Sequence, residues 1–215
     1  MGKLLWQPSE DRIRNTNIYH FMGVINEKFN KDFENYDQLY QWSVENIPDF
    51  WASMWDFAGI KASQPYEQVV DDLTKMPGAK WFTGAKLNFA ENLLRFRDDH
   101  VALIFKGESR DTVQMTYAEL YDEVSKLAQY LKELGLGPDD RVAGFMPNMP
   151  QTIVAMLAAT SLGAAWSSCS PDFGIKGVLD RFGQIKPKVL FTADGYLFKG
   201  KELDSLARVA DILKD

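Results

Sequence analysis

Apolar positions recur with a helical period through the first part of the chain. Ile18, Phe21, Met22, Ile25 and Phe29 share one face of a helix for which Thr16 is the N-cap. Pro48 suits a first helical turn, and Trp51, Met54, Trp55 and Ala58 follow at i, i+3, i+4 and i+7 before Gly59 closes the helix. Aromatic stripes of this kind predict packing rather than a ligand box. From about residue 100 the pattern changes. Val101 to Phe105 read as a strand, residues 106–112 as a polar turn and residues 113–115 as its return, which predicts a hairpin. Thr116 with Glu119 forms a capping box for a helix along Leu120, Val124, Leu127, Leu131 and Leu134, ended by Gly135.

Three strand–helix units follow. A strand over 141–146 precedes a helix over about 149–162, capped by Asn148 and ended by Gly163. A strand over 164–168 precedes a helix with Ile175, Val178, Leu179, Phe182 and Ile185 inward. A strand over 188–192 precedes a last helix with Leu203, Leu206, Ala210 and Leu213 on one face. Strands joined by helical crossovers lie parallel, and the crossovers are right-handed. The expected fold is therefore α/β: an incomplete doubly wound parallel sheet with helices on both faces, preceded by a helical N-terminal cover segment. Residues 1–99 form that cover and residues 100–215 the sheet domain.

Composition narrows the partners. With 46% hydrophobic and 25% charged residues, collagen-like, coiled-coil and disordered readings drop out. The net charge of −6, without a block of Lys or Arg, lacks the footprint of a nucleic-acid binder. Cys169 is the single cysteine, so no internal disulfide forms; His20 and His100 lie far apart, and no zinc site is expected. The start, Met1-Gly2-Lys3-Leu4-Leu5-Trp6, meets charged residues before a leader core can form, and Trp6 stands where myristoylation wants Ser or Thr. Residues 142–171 carry no charge, yet Pro147, Pro150, Gln151 and Gly163 interrupt them, whereas a membrane span needs ~20 apolar residues. No membrane partner and a cytoplasmic location are expected.

In open parallel sheets the ligand crevice lies beyond the carboxyl ends of the strands. Three loops leave that edge: Pro147-Asn148-Met149, Cys169-Ser170-Pro171-Asp172 and Ala193-Asp194-Gly195-Tyr196. Asn148 and Asp172 also suit helix N-caps. Familiar catalytic patterns fail. Gly135-Leu136-Gly137 lacks the third glycine of a dinucleotide fingerprint and follows a helix. Ser167-Ser168-Cys169-Ser170 has no histidine near in sequence and no nucleophile elbow, so Cys169 reads as a small buried side chain. Phe198-Lys199-Gly200-Lys201 is a cationic cluster that suits either a phosphate or a solvated turn.

Composition and periodicity name no reaction, but particular motifs resemble a known family. The run Trp81-Phe82-Thr83-Gly84-Ala85-Lys86-Leu87-Asn88-Phe89-Ala90-Glu91-Asn92-Leu93 is similar to a signature of the acetyl-CoA synthetase branch of the acyl-adenylate-forming acid–CoA ligases. Tyr36, Leu39, Trp42-Ser43-Val44, Phe50-Trp51 and Trp55 resemble that branch's N-terminal cover. Thr116-Tyr117-Ala118-Glu119-Leu120, then Arg141 through Asn148, then Ala155-Met156-Leu157-Ala158 with Gly163-Ala164, follow in family order. Leu5-Trp6-Gln7-Pro8-Ser9 and Ser167 through Gly174 resemble the acetoacetate-using subgroup.

The resemblance covers the whole chain but only the front third of such a ligase. It implies acetoacetate, ATP and CoA as small-molecule substrates of a longer parent, with Mg²⁺, and the first, truncated part of the large adenylate-forming domain. The family's phosphate loop, adenine motifs, hinge and C-terminal lysine do not occur here, so no catalytic residue and no metal ligand is assigned, and the chain alone is expected to be inactive. Ser170, Pro171 and Asp172 match a segment that helps bind the CoA nucleotide. Phe198 and Lys201 stand where two arginines serve its phosphates, with Lys199 adjacent. Lysine meets a phosphate as a point charge rather than as a fork. Two alternatives stand beside this reading: another short-chain acyl-CoA synthetase (acetyl or propionyl), or a non-catalytic α/β module that binds CoA or a protein. An end at Leu213-Lys214-Asp215 would leave a strand edge unpaired, so self-association is expected, with Trp51, Trp55 and Trp81 as further contacts.

Overall fold

A computed structural model describes residues 5–108 and 111–214. Residues 1–4, on which the leader and myristoylation readings fall, lie outside the described residues, as do Ser109 and Arg110 of the polar turn and Asp215. The chain divides into two compact units, Met1–Leu87 and Asn88–Asp215.

The first unit holds helices α1 (Glu10–Arg14), α2 (Asn17–Phe29), α3 (Tyr36–Glu45) and α4 (Ile47–Phe57). Strands β1 (Gln68–Val70) and β2 (Trp81–Thr83) add an antiparallel pair that the helical period does not show. Thr16 caps α2 by accepting the Tyr19 N–H, and Asn30 in the left-handed region ends it. Phe21, Met22 and Ile25 of α2 pack with Leu39 and Trp42 of α3. Ile18, expected on that face, is 48% exposed because the cluster begins at Phe21. Rings meet at their edges: Phe21 lies 5.7 Å from Phe50 and 5.1 Å from Phe57. Trp55 lies 4.7 Å from Phe82, and Trp51 6.3 Å from Trp81. The loop after α2 is clasped by Asn26, whose amide donates to the Phe33 carbonyl and accepts the Phe33 N–H, both at 2.9 Å.

The second unit opens with α5 (Phe89–Leu93), a hairpin of β3 (Val101–Phe105) and β4 (Val113–Thr116), and α6 (Tyr117–Glu133). The Thr116–Glu119 capping box is formed in full. Then come β5 (Arg141–Phe145), α7 (Pro150–Ser161), β6 (Ala165–Cys169), α8 (Ile175–Ile185) and β7 (Val189–Thr192). The three strands are parallel in the order β6-β5-β7. Alternation along the central strand sends side chains to two cores. Val142 joins residues of α5, α6 and α7 on one face, while Ala143 and Phe145 join Val178 and Phe182 of α8 on the other. Both faces of the sheet are covered, as parallel strands require. Gly144 leaves the notch into which Trp166 of β6 packs: a Cβ at Gly144 would sit 2.5 Å from the indole Cζ2.

Between β7 and the last helix, α9 (Ser205–Ile212), the chain inserts a second hairpin, β8 (Gly195–Phe198) and β9 (Lys201–Asp204). This corrects the last helical face. Leu203 belongs to β9 and helix α9 begins only at Ser205, so Ser205, Val209 and Ile212 are buried while Leu206 and Leu213 are exposed. The two expected caps also fail. The N-cap of α7 is Met149, because Pro150 occupies its first turn, and that of α8 is Gly174; neither uses Asn148 or Asp172. Ile175, in the first turn of α8, is exposed rather than inward. Among the described residues no helix is long and apolar enough to cross a membrane.

Candidate functional site

Parallel strands end at a common edge, and in the second unit a cleft of about 900 Å³ opens there. Pro147, Asn148 and Met149 after β5 form one wall, and Ala193 and Asp194 after β7 form the next. Gly195, Tyr196 and Leu197 of β8 close a third side, and Phe105 through Glu108 of the β3–β4 turn a fourth. Gly195 is needed where it stands, since a Cβ there would lie 2.6 Å from the Leu203 carbonyl oxygen. Among the described residues the lining is acidic: Glu108, Asp194, Glu202 and Asp204 face Lys106 as the one cation. Three of these carboxylates already hold backbone: Asp194 accepts the Gly195 N–H, Asp204 caps α9 through the Ala207 N–H, and Glu108 accepts the N–H groups of Lys199 and Gly200.

The candidate residues fall into two groups. Ser170, Pro171 and Asp172 form a turn after β6, in which the Ser170 hydroxyl donates to Asp172 Oδ2 at 3.1 Å and the Asp172 N–H donates back to Ser170 Oγ. Tyr196, from β8, donates its hydroxyl to Asp172 Oδ1 at 2.7 Å. Arg208 of α9 donates to the Pro171 carbonyl. Burial first, and then the Asp172 carboxylate, push the Tyr196 phenol above its ordinary value, so it remains a donor. Asp172 thus fastens two loops together instead of capping a helix.

Lys199 and Lys201 lie apart from that turn, at the tip of the β8–β9 hairpin, and both are exposed. Lys199 and Gly200 are its two central residues, with φ of 53° and 72°. A two-residue turn with both φ positive matches the right-handed twist of the strands it joins. Their N–H groups point outward, and both donate at 2.9 Å to one carboxylate, that of Glu108. These two bonds hold Glu108 below the usual carboxylate range. Cys169 is buried, and its burial raises the thiol, which fits the reading of an inert side chain.

Glu108 and Arg208 were not singled out from the sequence, and Tyr196 appeared there only as the last residue of a carboxyl-edge loop. The hairpin that carries Tyr196 had a signal, a Lys-Gly pair between Tyr196-Leu197-Phe198 and Lys201-Glu202-Leu203. Glu108 had none, because its partners stand 91 and 92 positions away. Among the described residues no three His, Cys, Asp or Glu side chains gather as a metal site.

The family description "AMP-binding enzyme" matches residues 89–215, most of the second unit and more than half of the chain. The chain belongs to the AMP-binding enzyme family. A second description, "Acetyl-coenzyme A synthetase N-terminus", matches residues 36–93. Acetoacetyl-CoA synthetase of Danio rerio is 43% identical over 216 residues, covering 99% of this chain and 32% of that protein. The acetoacetyl-coenzyme A synthetase of Rhizobium meliloti (strain 1021) is 43% identical over 210 residues, covering 98% of this chain and 32% of that protein. The solved structure of acetoacetyl-CoA synthetase from Streptomyces lividans superposes with a TM-score of 0.92 at 42% identity, over 99% of this chain and 33% of that one. The chain thus spans about a third of the length of the relatives it matches.

Proposed function

We propose that this chain is the first part of an AMP-forming acetoacetate–CoA ligase. In the whole protein the acetoacetate carboxylate attacks the α-phosphorus of ATP, a P–O bond forms, and pyrophosphate leaves with the broken one. The CoA thiol then attacks the acyl carbon of the adenylate and displaces AMP, giving acetoacetyl-CoA. The observation that supports this reading is identity of 43% and 42% to acetoacetyl-CoA synthetases along 99% of the chain. Phosphoryl transfer depends on positioned charge around the nucleotide. The acidic cleft does not supply it, so both chemical steps are assigned to parts of the ligase beyond these residues, and the 215-residue chain is read as inactive alone.

Its own contribution is to recognition. The Ser170–Asp172 turn and the hairpin bearing Lys199 and Lys201 are joined through Tyr196, and together they offer a polar turn and two ammonium groups to the nucleotide end of CoA. The purified chain is expected to show only background ATP–pyrophosphate exchange with acetoacetate, acetate or propionate; exchange above background would overturn its assignment as a non-catalytic part. A longer polypeptide containing it is expected to form acetoacetyl-CoA. Turnover of acetate far above acetoacetate would move the assignment to an acetyl-CoA synthetase.

A further inference from the structure

We infer that Glu108 is an internal occupant of an anion-binding turn, a carboxylate that an incoming phosphate must displace before it can engage the Lys199–Gly200 hairpin. The inference rests on the reading of that hairpin as a phosphate-recognising element, and deepens it by naming what regulates access.

Successive backbone N–H groups in a turn can face one side and create a small concavity of positive charge, a recognised way of holding an anion. Lys199 and Gly200 do this, at φ of 53° and 72°. The register Phe198↔Lys201 leaves the two N–H groups of the turn outside the strand ladder. Lys199 and Lys201 add two ammonium groups on either side of Gly200. What the turn holds is Glu108, with both carboxylate oxygens engaged: Oε1 accepts from Lys199 and Oε2 from Gly200. A two-oxygen anion on two adjacent N–H groups is the arrangement that two oxygens of a phosphate would adopt there. Glu108 comes from the turn between β3 and β4, so the same contact ties two walls of the cleft together. Displacing it exchanges one anion for another at the hairpin and releases the β3–β4 turn from it.

The test uses the 215-residue chain, its Glu108→Gln and Glu108→Ala variants, and backbone amide resonances of Lys199 and Gly200. Without ligand, both variants are expected to shift these two amides upfield, and trypsin is expected to cut after Lys199 and Lys201 faster in Glu108→Ala. Titrated with inorganic phosphate, Glu108→Gln is expected to bind about tenfold more tightly than the parent chain, the factor that loss of one competing charge-assisted contact is worth. The response is expected at Lys199 and Gly200, and Lys201→Ala in the Glu108→Gln background is expected to weaken it. Equal phosphate affinity in parent and Glu108→Gln, or a response that leaves these two amides unmoved, would overturn the inference. A parallel titration with CoA separates it from the reading beneath: CoA binding no tighter than phosphate would sink the CoA assignment while the Glu108 competition stands.

Discussion

The two units bury their apolar surface by different means. In the second, two aliphatic-rich cores fill the space on either side of a parallel sheet, and Val142, Phe145, Leu131, Leu157 and Val178 are almost wholly removed from water. In the first, Ile25 is the one large apolar side chain among the described residues buried to that degree, and rings do the joining, several at edge-on angles. Trp51 and Trp81 touch each other yet remain 42% and 44% exposed. Edge contacts between rings contribute about 0.5–1.5 kcal/mol beyond their burial, whereas a filled core loses transfer and cavity energy together when a side chain is cut. The second unit should therefore fail through lost volume. The first should fail through lost clasps.

The largest effect is expected from Phe145→Ala. This side chain is fully buried between β5 and helices α8 and α9, and its removal should cost about 3–5 kcal/mol. Urea denaturation followed by circular dichroism measures the loss; a cost under about 1 kcal/mol would show that this face relaxes as the ring cluster does. Five of the six tryptophans belong to the first unit, so their emission reports on the other side of the comparison. If it shifts midpoint in step with the circular dichroism, the two units unfold together and the contrast between them dissolves.

A smaller loss, about 1–3 kcal/mol, is expected for Asn26→Ala, which leaves the half-buried Phe33 N–H and carbonyl without their partner. Tryptophan emission should detect it. No change would mean that rings alone hold the first unit.

The smallest effect is a pH dependence. Asp71 accepts hydrogen bonds from the Lys75 ammonium at 2.8 Å and the Lys80 N–H at 2.7 Å, and these lower its carboxyl from 3.8 to about 2. A folded value below the unfolded one means that the stabilisation is fully present above 3.8 and is lost as pH falls through about 2. Asp71→Asn should therefore flatten the fall in tryptophan-detected stability across that window and leave the second unit's profile unchanged. Equal slopes in parent and variant would remove Asp71 from the clasps.

Legibility in the sequence followed the range of the interaction. The capping box at Thr116, the β3–β4 hairpin and the parallel strands were readable because each rests on neighbours in sequence or on a period. Asn148 and Asp172 misled because cap-forming residue types stood next to stronger determinants: Pro150 fixed one helix start, and Tyr196 drew Asp172 elsewhere. The α9 face was misjudged because a two-residue turn at Lys199-Gly200 changed the period from helix to strand for only a few residues. In the candidate site the carboxyl-edge loops after β5 and β7 were legible from topology, since the edge follows from strand direction alone. The grip of Glu108 on the hairpin was not, since nothing within 90 positions of it hints at the contact.

The notch at Gly144 carries a consequence for how such chains can change over generations. The indole of Trp166 occupies the space where any other residue at 144 would place its first carbon. Neither position is free to drift by itself. Alanine at 144 is a route open only after a smaller ring or an aliphatic side chain has replaced Trp166, and the two changes together should cost less than the sum of each alone. Lineages that depart from glycine at this point of the central strand should therefore arrive there in pairs of substitutions, with the tryptophan lost first.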